Sequence, residues 1–201
     1  MDQLIRYRFA EQPRRGLAVA GIFFVKGLLA IPHLILVYAL GSLAWAAAYI
    51  GYWIVAFTGR LPDGLQTFMS WYLRWYTRIV GWYTGVTDVY PPFEPEPADY
   101  LPDVDPPRNE APSKGWAVAG IFFPVKALAA LPHLILLAFL WFAVAVGSWI
   151  GFIVVAFTGR LPIPFQDLYM GTMQWTVRLA SWLYGLTDRY PPFDLEVHPT
   201  A

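Results

Sequence analysis

The chain has 201 residues, with 14 basic and 14 acidic side chains; 57% of residues are hydrophobic and only 14% charged, against about 25% charged in soluble globular domains. The balanced charge supplies no basic surface for nucleic acid, and the absence of cysteine excludes disulfides, thiolate metal sites and cysteine nucleophiles. Ten Trp and twelve Tyr suit side chains at a membrane interface, and the expected class is an all-α integral membrane protein.

Residues 1–13 read as an N-terminal cytoplasmic segment. MDQLIRYRFAEQPRRG is unlike a cleaved signal peptide, because its basic stretch is too long and no small-residue cleavage site follows the apolar run. A first membrane repeat is expected over 14–93. Apolar residues run from about 16 to 57, interrupted only by Lys26 and His33. A membrane span needs about 20 residues, so this length predicts a transmembrane helical hairpin with a turn near Gly41 and Ser42. The alternative break lies at Pro32 (Pro132 in the second copy), because proline favours the first turn of a helix. That break would leave a short re-entrant helix before one long span.

FTGRLP, Phe57 to Pro62, ends the run. Gly59 permits positive φ and Pro62 can begin the next helix, which puts Arg60 at the headgroups. On the helical wheel that follows, Phe68, Trp71, Trp75, Ile79 and Trp82 share one arc. Gln66, Ser70, Arg74, Thr77 and Arg78 occupy the opposite one. Such a helix is expected to lie in the membrane interface. As a span it would put Arg74 and Arg78 near mid-depth, at about 2.5–3.5 kcal/mol each. TDVYPPF closes the repeat as a turn, with Asp88 within reach of Arg78. The proline-rich, acidic stretch 94–113, EPEPADYLPDVDPPRNEAPS, cannot bury enough apolar area to offset its chain entropy. It reads as a solvated tether, with an acidic docking strip as the alternative.

Residues 114–193 write the same unit again. GLAVAGIFF returns as GWAVAGIFF, one residue is inserted near Pro124, and from Lys26 and Lys126 onward the offset is a constant 100. The second copy brings Lys126, His133, Arg160, an amphipathic segment from Gln166 to Tyr184 with Arg178, and TDRYPPF with Asp188. Residues 194–201 form a tail. Identical chemistry at both ends of each copy predicts that the repeats sit the same way up, with their arginines, the N-terminus and the linker on the cytoplasmic side.

PHLIL, the apolar run ending in FTGR-P, the Trp/Arg helix and the closing TDRYPPF together resemble the bacterial membrane domain of unknown function 4389, in both copies. The resemblance implies a repeated module of a bacterial inner membrane and supplies no activity.

Several polar residues are candidates for function. Lys26 and Lys126 either snorkel or hold a lipid phosphate or a partner's acidic group. Arg60, Arg160, Arg74, Arg78 and Arg178 are candidates for lipid-headgroup or partner contact. His33 and His133, one per repeat, could ligate a haem or pigment between them or hydrogen-bond a neighbouring helix. No further metal ligands accompany them. There is no Ser-His-Asp set, phosphate loop or carboxylate pair. The expected function is therefore non-enzymatic: a multi-pass scaffold or accessory subunit whose partners are membrane lipids and other membrane proteins. A lipid-binding or transport module is the alternative, and a haem-binding subunit the third reading.

Overall fold

The computed structural model describes residues 4–8, 12–93 and 100–196. Parts of the N-terminal segment, linker and tail predicted above therefore lie outside the described residues. Within them the chain forms, in order, β1 (Ile5–Arg6), α1 (Arg15–Ile22), α2 (Val25–Thr58), α3 (Asp63–Thr84), β2 (Asp103–Val104), α4 (Lys114–Ile121), α5 (Phe123–Thr158) and α6 (Ile163–Leu183).

The predicted hairpins are corrected: after the short helices α1 and α4, the rest of each apolar run is one continuous helix, of 34 residues in α2 and 36 in α5. No turn forms at Gly41 and Ser42. A run of Leu, Ile, Ala and Trp carries no breaker there, and a lone glycine costs a helix only about 1 kcal/mol. Pro32 and Pro132 lie inside their helices. The chain bends earlier, between α1 and α2, where Phe24 adopts φ 59°. In the second copy the extra residue falls at this bend, and proline stands in the first turn of α5, where its missing N–H costs nothing.

FTGRLP folds as predicted. Gly59 and Gly159 sit in the left-handed region at φ 73° and 72°, and each donates its N–H to a valine carbonyl one turn back at 2.8 Å. α3 then returns antiparallel beside α2, setting Leu65 near Gly51, Trp75 against His33 and the Trp82 carbonyl on Lys26. The same return is made by α6 beside α5.

The two copies interlock. α1 packs on α5 of the other repeat, and α4 on α2. The Lys26 ammonium lies 5.0 Å from the Phe152 ring, and Lys126 lies 4.5 Å from the Tyr52 ring. Residues 26 and 52 stand near opposite ends of α2, and 126 and 152 near opposite ends of α5, so the long helices run antiparallel. Antiparallel helices that crossed a bilayer could not both keep their FTGR turns on one side. One continuous core joins both copies, with Ala48, Tyr52, Met69 and Leu73 meeting Val144, Tyr169, Met173 and Tyr184.

Candidate functional site

PHLIL and TDxYPPF, about sixty residues apart, close on each other in both repeats. His33 is fully buried and stacks on Phe93 at 4.1 Å, and His133 does the same on Phe193 at 3.9 Å. Tyr90 and Tyr190 stand 5.0 Å from these rings. Their hydroxyls donate to the carbonyls of Leu29 at 2.9 Å and Ala129 at 2.6 Å. Pro32 and Pro132 leave the carbonyls of Leu28 and Leu128 without their helical donors, and the tyrosines hold the same turn through the carbonyl next along the chain.

One asymmetry separates the clamps. Trp175 donates its indole N–H to His133 Nδ1 at 2.8 Å, whereas Trp75 donates to the Pro92 carbonyl at 3.0 Å. Each imidazole is enclosed by rings of its own repeat, so a ligand held between His33 and His133 would require both stacks to open. Replacing Tyr90 and Tyr190 by phenylalanine is expected to cost about 1 kcal/mol at each site, read as a lowered thermal midpoint in mild detergent.

Lys26 and Lys126 do not snorkel; both are buried. Lys26 Nζ donates to the Trp82 carbonyl at 2.6 Å, and Lys126 Nζ to the Trp182 carbonyl at 2.8 Å and the Tyr52 hydroxyl at 3.0 Å. Those carbonyls lie in the last turns of α3 and α6 and also accept the N–H of Gly85 and Gly185 at 3.2 and 3.1 Å; there the lysine cation meets the negative end of the helix dipole. Asp88 and Asp188 complete the junctions. They accept from the backbone N–H of Arg14 at 2.6 Å and of Ser113 at 2.7 Å, which are the N-cap residues of α1 and α4. The aspartates thus hold helix starts rather than Arg78 or Arg178, contrary to the sequence-based expectation. A matching cavity of about 10 Å³, bordered by each lysine and aspartate, leaves room for about one water.

Arg74 and Arg78, predicted to face headgroups, instead meet the chain's own linker. Arg78 and Asp103 are both buried and lie 3.1 Å apart; Arg74 and Arg6 reach the same carboxylate at 3.3 and 3.0 Å. The aromatic arc of α3 faces α2, its arginine arc faces the linker, and its two-faced pattern is thereby answered within the molecule. Arg178 is paired less tightly, 3.6 Å from Asp194. Burial lowers its pKa, an effect opposed by Asp194 and reinforced by nearby Arg189. Arg60 and Arg160 are exposed at the two FTGR turns.

Burial pushes the phenols of Tyr7, Tyr76 and Tyr169 up to about 12 each, from an ordinary value of about 10. A raised phenol pKa means that the fold prefers the neutral form. This stability is whole below pH ~10 and is lost as pH rises toward 12. In an absorbance titration these tyrosines are expected to ionise together with unfolding, well above free tyrosine.

A family model described as domain of unknown function (DUF4389) matches residues 22–94 and 123–194. The matched units hold α2 with α3 and α5 with α6, each with its closing clamp, and leave α1 and α4 largely outside. No curated protein and no solved structure matches the chain.

Proposed function

We propose that this chain, which belongs to the DUF4389 family and carries its domain twice, is a non-enzymatic scaffold or accessory subunit embedded in one face of the cytoplasmic membrane. In this reading α2 and α5 lie along the membrane plane. Both helices are long and apolar enough to cross a bilayer, and both expose large side chains along their length, among them Leu28, Ile35, Phe57, Leu128, Phe139 and Phe157.

The observation that carries the flat placement is the path of the linker. It runs beside α3 for most of the length of α2, with Asp105 at Arg74, Arg108 at Thr67 and Asn109 at Gln66. Asp105 is 83% exposed, Asp63 91% and Arg108 56%. If α2 crossed the membrane, Asp105 beside Arg74 would stand at hydrocarbon depth, at about 2.5–3.5 kcal/mol, with the linker's backbone leading down to it. Lying flat keeps the linker in water and both FTGR turns on one side, as the positive-inside bias asks.

A scaffold role is supported by what the polar residues do. The buried lysines, histidines and Arg78 hold the chain's own segments together, which leaves the exposed lipid and water faces for partners. Lipid contact then rests on Arg60 and Arg160. Purification in a gentle detergent is expected to bring down stoichiometric partner chains; a clean monomer or homo-oligomer would count against the scaffold.

A further inference from the structure

The duplication places the same groove in both repeats, between the C-terminal half of the return helix and the TDxYPPF clamp. In the first repeat the groove is filled. Pro102 packs where a side chain on Gly81 would stand. The Tyr100 hydroxyl donates to the Val89 carbonyl at 2.7 Å, its ring lies 5.6 Å from the Arg78 guanidinium, and Asp103 pairs with Arg78.

In the second repeat the corresponding positions are Ser181, Arg189 and Arg178. Together with Thr187 and residues 190–192, and with Leu4 and Pro107 on its other wall, they line an open cavity of about 270 Å³. This is near the lower end of ligand-pocket sizes, about 300 Å³, and suits a few inserted side chains. Ser181 is wholly buried at its base, and among the described residues its hydroxyl has no partner, a polar group of the kind that folded proteins satisfy. Arg178 and Arg189 line it; Arg178 lies 3.6 Å from Asp194 and is also acted on by Glu196, while Arg189, at the position of Val89, adds a positive charge that the first groove lacks and that an acidic group would meet.

We propose that this second groove docks an extended segment of a partner protein with an aromatic–x–Pro–acidic sequence, the chemistry with which Tyr100–Asp103 fills the first. The partner's carboxylate meets Arg178 and Arg189, its proline lies over Ser181, and its aromatic ring covers the Arg178 guanidinium. The proposal rests on the scaffold reading for the existence of a partner and names that partner's docking chemistry.

The test is fluorescence polarisation of a labelled Tyr-Leu-Pro-Asp-Val-Asp peptide, residues 100–105, added to the full-length protein in mild detergent. Saturable binding is expected. Arg189→Glu, an exposed change that should leave folding intact, is expected to weaken it roughly tenfold or more. Ser181→Trp, which fills the cavity, should do likewise, and a peptide with lysine for both aspartates should not bind. A full-length chain that ignores the peptide, or binds it equally well with Arg189→Glu, overturns the proposal. So does concentration-dependent self-association that Arg189→Glu abolishes, since the occupant would then be a second copy. The peptide assay reads the groove alone and co-purification reads complex membership, so the two readings fail separately.

Discussion

Arg78→Ala is expected to cost about 3–5 kcal/mol of folding stability, the usual loss when one partner of a buried ion pair is removed. Asp103 is buried beneath Arg78 and would be left to partly buried Arg74 and largely exposed Arg6. Leaving the carboxylate underpaired costs more than the lost bond itself. Two comparisons separate this from generic damage. Arg178→Ala should cost distinctly less, because Asp194 is more exposed and 3.6 Å away. The double change Arg78→Met with Asp103→Leu should be milder than Arg78→Ala alone, since no orphaned charge remains. Thermal unfolding followed by tryptophan fluorescence in mild detergent reads all three.

Crossing of the repeats gives the second large effect. A Cβ at Gly21 would overlap the Phe152 ring, and one at Gly120 would stand 2.5 Å from the Tyr52 ring. Leucine at either glycine should therefore cost about 1–3 kcal/mol or more by overpacking. The informative measurement is a double-mutant cycle. Gly21→Leu should couple to Phe152→Ala by about 0.5–3 kcal/mol and to Tyr52→Ala by close to nothing, because only contacting residues couple. Gly120→Leu should show the reverse pattern. Coupling within a repeat rather than across it would rule out the interlocked arrangement.

How far the sequence could be read depended on whether a pattern names its own partner. The duplication and the FTGRLP turn were plain, because glycine at positive φ and proline at a helix start act locally. The wheel of α3 sets Arg74 apart from Trp75 and Trp82 but leaves Arg78 at the edge of the aromatic arc, about 40° from Trp82, and a wheel cannot say what lies against each face. The arginine face is covered by Asp103, which stands in a stretch whose composition reads as a solvated tether. Length alone suggested a hairpin in 16–57; both a hairpin and a long single helix satisfy that count, and only packing against α3 and α4 chooses between them. Lys26 and Lys126 read as snorkelling because their acceptors, the carbonyls of Trp82 and Trp182, belong to backbone far along the chain. A signal was present all the same: PHLIL and TDxYPPF recur as a pair in both copies, which suits the contacts of His33 with Phe93 and of Tyr90 with Leu29.

Side-specific labelling of the two FTGR turns is the most direct test of the membrane arrangement, and the chain has no native cysteine to interfere. Single cysteines at Arg60 and Arg160 stand at opposite ends of antiparallel helices. If α2 and α5 lie flat in one face, a membrane-impermeant maleimide will modify both from the cytoplasmic side and neither from outside. Modification of one from each side would mean that the helices cross the bilayer in opposite directions, and the flat placement would be wrong.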